Sequence, residues 1–271
     1  VGPERVNLGR IGIWGGAFDR LDAATLRRTA ATLDDLGYST LWLPETWLPE
    51  TGGREAMTQA AMLLAATTWA TIATGVAGIH RRTPATTGAA ERTLREAYPG
   101  RFVLGLGVSH PALVDTWRPP IPAMREYLAA LPPGPPRLVA ALGPRMLRLA
   151  ATHAAGAVPL GMPVAHTRAA RDILGPDRIL AVVQLVAYGD EPDLARTAVD
   201  QSMPNREHLL RDLGLDPAAP QTVDALVATG DTASIAARVQ DHLDAGADHV
   251  ALHVLNPDPT PAWHALASAL T

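Results

Sequence analysis

The chain has 271 residues, 47% of them hydrophobic, with a net charge of −4 and a pI near 6.1. That balance suits one large packed core and argues against disorder, against nucleic-acid binding through bulk charge and, since no apolar run nears about 20 residues, against a membrane span. There is no cysteine and every one of the 23 basic residues is arginine, which excludes disulfides, thiolate nucleophiles, cysteine-ligated metals and lysine Schiff bases.

Strand and helix patterns alternate along almost the whole chain. Arg10–Trp14 reads as a first strand; Asp22 can cap a helix to about Leu36, with Leu26, Ala30 and Leu33 on one face and Gly37 as its stop. Thr40–Glu45 is the second strand, followed by a helix from Ala56 to Thr67. Thr71–Ile79 is the third strand, followed by a helix from Pro84 to near Tyr98, the proline suited to a first turn. Phe102–Val108 is the fourth strand, and a proline-rich connection, 109–136, has room for one short helix at about Ile121–Leu131. Strands at Arg137–Leu142 and Gly156–Leu160 alternate with helices at Pro144–His153 and Val164–Leu174. A long strand, Arg178–Tyr188, leads into several helical segments over 192–229. A helix capped by Asp231 or Thr232 and ended by Gly246, a strand at His249–Leu255 and a helix at Pro261–Leu270 complete the pattern.

Eight largely apolar strands separated by helices call for parallel pairing with both faces covered. The expected fold is α/β, a single (β/α)8 TIM barrel over residues 1–271, a length typical of that fold. An open doubly wound sheet is the alternative, but no strand–Gly-x-Gly-x-x-Gly–helix unit supports it. In such barrels the C-terminal strand ends build the site. By alternation Leu41, Leu43 and Glu45 share one face of the second strand, and Val103, Gly105, Gly107 and Ser109 one face of the fourth. The two glycines either make room for a ligand or relieve crowding between strands. Gly143 and Gly161 stand at strand-to-helix turns, where backbone N–H groups can meet an anion or simply turn the chain. His249 and His253 are separated by roughly 13 Å along a strand and do not chelate one ion, and no zinc, iron, Walker-loop or nucleophile-elbow pattern appears; His253 and Tyr188 read as barrel lining or core.

Three segments, Leu41-Trp-Leu-Pro-Glu-Thr-Trp47, Gly75-Val-Ala-Gly-Ile-His-Arg-Arg-Thr-Pro84 and Ala97-Tyr-Pro-Gly-Arg-Phe-Val-Leu-Gly-Leu-Gly-Val-Ser-His110, together resemble the luciferase-like monooxygenase superfamily, and most of all its coenzyme F-420-dependent branch. Gly230-Asp-Thr and Ala245-Gly-Ala-Asp-His-Val-Ala-Leu252 are similar to its last helix–strand unit. The resemblance implies a luciferase-like TIM barrel with a flavin or deazaflavin in its C-terminal mouth. It also implies an oxidoreductase moving a hydride between F-420 and a small organic substrate; an FMN-dependent monooxygenase and a non-catalytic flavin- or ligand-binding barrel are the alternatives.

Residue by residue, the resemblance places the deazaflavin against Glu45, Ala77, Gly78, Ile79, Gly107, Val108, Ser109, Leu142, Gly143, Arg145, Met146, Gly161 and Met162. It implies a non-prolyl cis peptide at Ala77–Gly78 or Gly78–Ile79. Glu45 and His110 are the acid/base candidates. The relatives' histidine after the acidic residue is Thr46 here, which weighs against a sugar-phosphate dehydrogenase. The expected partners are a small-molecule substrate, with a homodimer open, and neither nucleic acid nor membrane. No basic patch followed by an apolar segment opens the chain, so a cytoplasmic location is the expectation.

Overall fold

A computed structural model describes residues 7–45, 53–108, 117–203 and 206–271. Its strands are β1 (Ile11–Trp14), β2 (Thr40–Leu43), β3 (Thr71–Thr74), β4 (Ala77–Gly78), β5 (Phe102–Val103), β6 (Gly105–Gly107), β7 (Leu138–Ala140), β8 (Gly156–Val158), β9 (Ile179–Tyr188), β10 (Val227–Gly230) and β11 (His249–Val254). The helices are α1 (Ala23–Asp35), α2 (Ala56–Ala66), α3 (Pro84–Ala97), α4 (Pro120–Ala130), α5 (Pro144–His153), α6 (Val164–Leu174), α7 (Pro192–Ser202), α8 (Glu207–Asp212), α9 (Pro220–Leu226), α10 (Thr232–Asp244) and α11 (Thr260–Leu270).

All ladder pairings among these strands are parallel, in the order β4-β6-β7-β8-β9-β11-β1-β2-β3-β5. The two ends of that path join through the chain itself. β3 and β4 are two halves of one barrel strand, and β5 and β6 are two halves of the next. The sheet therefore closes into a (β/α)8 barrel, as the alternation requires. Closure leaves two cores. Inside the ring, Trp42, Ala73, Val103, Leu138, Val158, Ala181, Val183 and Ala251 pack on one another. Outside it, residues of opposite parity such as Ile13, Leu41, Leu43, Ile72, Leu104 and Leu252 pack beneath the helices. Strands buried on both faces are the reason their sequences read as unbroken apolar runs.

Local signals set the helices. Asp22 accepts from the backbone N–H of Ala24 and Thr25, both at 2.9 Å, and α1 buries Leu26, Ala30 and Leu33. The chain leaves α1 through Gly37 at φ +87°, a backbone region glycine enters without strain. Asp231 caps α10, whose Ile235 and Val239 are buried.

Two features depart from the expected layout. The third strand does not run unbroken to Ile79: its register on β5 ends at Ala73, pairing resumes on β6 at Ala77, and the non-prolyl cis peptide lies between, at Gly75–Val76. Residues 227–230 are not helical. Val227–Gly230 form β10, which pairs with the protruding end of β9 from Leu185 to Tyr188. A four-residue strand directly after a helix carries little periodic signal, and it exists because β9 outlasts its neighbour β8 and leaves backbone groups to satisfy.

Candidate active site

At the C-terminal end of β2, Glu45 projects a side chain with no solvent exposure. Its Oε2 accepts from Gly78 N–H at 2.7 Å and from Arg82 Nη1 at 3.0 Å. Its Oε1 accepts from Ala56 N–H at 3.1 Å and from Arg82 Nη2. Arg82, whose side chain is only 7% exposed, also reaches Glu55 at 2.6 Å. Burial works against the charged guanidinium, but the hydrogen bonds and charges of Glu45 and Glu55 more than offset it and raise its pKa. The carboxylate thus ties three elements together: the end of β2, the N-terminus of α2 and the backbone of β4.

Beside it, Ile79 and Val108 line a cleft of about 290 Å³ with His80, Trp117 and Tyr127. Tyr127 Oη donates to the Arg82 carbonyl at 3.1 Å. Burial is the main cause that lowers the pKa of His80; the charge of Glu45 opposes it, and the guanidinium groups of Arg81 and Arg82 act with it. Its imidazole is therefore neutral near pH 7, able to donate and accept at the cleft wall. Ala77 and Gly78 are buried immediately behind. Ser109, His110 and Thr46 lie outside the described residues.

The paired glycines of the fourth strand have a specific steric partner. A Cβ on Gly105 would overlap the Thr74 carbonyl oxygen, and one on Gly107 would overlap Val76. Thr74 Oγ1 also donates to the Gly105 carbonyl at 2.7 Å and accepts Gly105 N–H at 2.9 Å. Of the two readings open from sequence, the glycines serve close strand approach: the room they leave is filled by the neighbouring barrel strand.

Across the mouth, Gly143 caps α5 with no side-chain hydrogen bond, and a Cβ there would meet nothing nearer than Leu209 at 3.8 Å. Arg145 is exposed beside it, Met146 is buried, and Leu142 accepts at its carbonyl from His166 Nε2 at 2.7 Å. Gly161 turns the chain at φ +59°. Met162, 1% exposed, is packed with Leu142, Leu185 and Leu209 in an apolar cluster under the α7–α9 insertion. The expected site residues therefore form two groups, one at the ends of β2, β4 and β6 and one at the β7 and β8 turns.

Between them, the inner wall carries groups that residue spacing alone did not single out. Trp14 donates through Nε1 to the Gly75 carbonyl at 2.9 Å, and its ring lies 4.3 Å from that of His253, centroid to centroid. Burial pushes His253 down to about 4, with Arg206 adding to the shift, and its Nδ1 has no hydrogen-bond partner among the described residues. A larger cleft, about 580 Å³ and lined by Tyr188, Glu191, Arg196, Asp224 and Asp231, lies at the β9–β10 edge and includes none of the expected site residues.

Two further histidines are locked neutral inside the fold. Trp42 Nε1 donates to His249 Nε2 at 3.0 Å while His249 Nδ1 donates to the Gly9 carbonyl at 3.0 Å. Gln184 donates through Nε2 to the Leu185 and Leu226 carbonyls, which leaves its oxygen to accept from His242 Nε2 at 2.6 Å. Burial pushes both histidines to about 4. The unfolded chain takes up protons near pH 6.5 that these folded histidines refuse. Stability is thus full above about pH 6.5 and falls as pH drops towards 4, on the order of 3 kcal/mol for each. Urea midpoints between pH 7 and 4.5 check this; a flat profile contradicts it.

Among the described residues no group of three or more His, Asp or Glu side chains is placed to hold a metal ion, and no helix is long and apolar enough to cross a membrane. The luciferase-like monooxygenase family model matches residues 10–133, from β1 through α4. Among curated proteins no sequence match is found. Solved structures superpose over nearly the whole chain. An F420-dependent secondary alcohol dehydrogenase in complex with an F420–acetone adduct is 14% identical with a TM-score of 0.78, covering 97% of this chain and 98% of its own. The coenzyme F420-dependent tetrahydromethanopterin reductase from Methanopyrus kandleri is 14% identical with a TM-score of 0.77, covering 97% of each chain. The oxygenating constituent of 3,6-diketocamphane monooxygenase from Pseudomonas putida, in complex with FMN, is 15% identical with a TM-score of 0.71, covering 96% of each. The family match thus covers the first four strand–helix units, and the solved structures share the barrel fold over nearly the whole chain.

Proposed function

We propose that the protein is an oxidoreductase that moves a hydride between coenzyme F-420 and a small organic substrate in the mouth of the barrel. The observation that carries this reading is the join of β4 and β6 beside Glu45: a buried, ion-paired carboxylate holds the Gly78 backbone where Ile79, His80 and Val108 open into a cleft. The donor set suits such a cofactor. Apolar walls from Ile79 and Val108 accept a flat ring, and a glycine turn at the start of α5 together with buried, unpartnered polar atoms of His253 and Arg206 accept polar or anionic parts. Bound deazaflavin would supply the hydride chemistry.

In this reading the protein's own groups orient and exclude water. Glu45 and Arg82 hold the wall at β4. Ala77, Gly78, Ile79 and Val108 form one side of the cofactor site, and Leu142, Gly143, Arg145, Met146, Gly161 and Met162 the other. His80 offers a neutral imidazole at the cleft, and His110 is the second proton-transfer candidate. The FMN-containing monooxygenase among the structural relatives supports a second reading, a reduced-FMN monooxygenase.

Titrating the purified protein with F-420 and with FMN while following fluorescence quenching tests both. F-420 is expected to bind more tightly than about 100 µM, a weak-affinity threshold of roughly −5.5 kcal/mol. Binding of FMN alone selects the second reading, and binding of neither removes the redox function.

A further inference from the structure

Arg206 stands just before α8, in the insertion that follows β9, and its side chain reaches back into the barrel mouth. It is 6% exposed. Its Nη1 lies against Gly161; a Cβ at position 161 would come within 2.9 Å of it. Gly161 therefore serves twice, as a left-handed turn and as the gap the guanidinium occupies. His253 of β11 is near enough for the arginine's charge to lower its pKa. The guanidinium thus lies at the turn that follows β8, with His253 of β11 within reach of its charge.

What is unusual is the absence of any compensation. Other arginines drawn into the fold are paired: Arg82 with Glu45 and Glu55, Arg137 with Glu91, Arg171 with Asp248. Arg206 has no salt bridge, and its buried Nη1 no hydrogen bond, among the described residues. Burial alone pushes it down to about 10. A buried charge without a partner is strongly unfavourable in a folded protein, so such a group is tolerated chiefly where something else supplies the counter-charge. The planar fork of a guanidinium matches the oxygens of a carboxylate or phosphate.

We propose that Arg206 anchors an anionic group, a carboxylate- or phosphate-type oxyanion, carried by a ligand that enters the barrel mouth. Two sources carry that chemistry, the phosphate of a cofactor and an acidic group of the organic substrate. The anion site rests on the mouth being the ligand site but not on which redox cofactor is used.

The test begins with inorganic phosphate and the 271-residue chain. Phosphate at millimolar concentration is expected to raise the melting temperature of the wild type. In Arg206→Met the shift should vanish and phosphate binding weaken at least tenfold, and Arg206→Lys should retain part of the response. Without phosphate, Arg206→Met should melt no lower than the wild type, because an uncompensated charge has been removed. An Arg206→Met protein that melts lower and still answers to phosphate overturns the proposal and leaves Arg206 a structural residue. Comparing F-420 with its phosphate-free deazaflavin core, and FMN with riboflavin, identifies the source. Selective weakening of the phosphorylated forms in Arg206→Met assigns the anion to the cofactor. Unchanged cofactor binding with a lost phosphate response assigns it to the substrate. If no cofactor binds the wild type yet the phosphate response depends on Arg206, the anion site stands and the redox function falls.

Discussion

Glu45→Ala is expected to destabilise the protein by about 3–5 kcal/mol, the usual cost of removing one partner from a buried ion pair. The side chains of Glu45 and Arg82 are 0% and 7% exposed. Removing the carboxylate leaves a guanidinium in the wall of the mouth with, among the described residues, the half-exposed Glu55 to answer it. It also strands the N–H groups of Gly78 and Ala56. Glu45→Gln keeps an amide oxygen for one of those donors and should lose less. Replacing both ends of the pair, Glu45→Leu with Arg82→Met, should recover much of the deficit, because the penalty comes from the unpaired charge. Urea denaturation of the single and double variants measures this; a Glu45→Ala protein within about 1 kcal/mol of wild type would show that the pair carries no structural weight.

Gly105→Ala should be the most disruptive single methyl addition in the fourth strand, costing about 3 kcal/mol or failing to fold, at or beyond the usual range for overpacking. The added carbon would run into the Thr74 carbonyl oxygen, which is backbone and cannot rotate away. Gly143→Ala provides the contrast. Its φ of −81° suits any residue, and the nearest atom to the new carbon is 3.8 Å away. That variant should match the wild type in thermal denaturation to within about 0.5 kcal/mol, the ordinary range for a substitution that meets nothing. Equal stabilities for the two variants would refute the steric account of the Gly105 position.

The two experiments bear on different ends of the same region. Glu45 holds β4 from the outside, through a hydrogen bond to Gly78, while Gly105 lets the adjoining half-strands approach from within. Together they set where Ile79 and Val108 open onto the cleft, and so how any ring bound there would be seated.

Much of this architecture was legible in the residues. Each of the eight barrel strands announced itself as a short apolar run because both its faces are buried. The helices carried their own start and stop signals in Asp22, Pro84, Asp231, Gly37 and Gly246. The position of Glu45 at a strand end followed from alternation, since side-chain direction in a strand has a period of two. These are local consequences of backbone geometry and solvent exclusion, and a local sequence carries them.

What only the tertiary structure decided are the pairings. Arg82 is 37 residues from Glu45, His253 meets Trp14 across the β11–β1 seam, and Arg206 reaches Gly161 from an inserted segment. The broken third strand and the short β10 belong to the same class, because ring closure and the overhang of β9 determine them. No periodicity within a segment reports which distant side chain will share its space. Barrel closure brings those groups together, and it decided that two glycines face a carbonyl and Val76, that Glu45 is fully paired, and that one arginine is left buried without a counter-charge among the described residues.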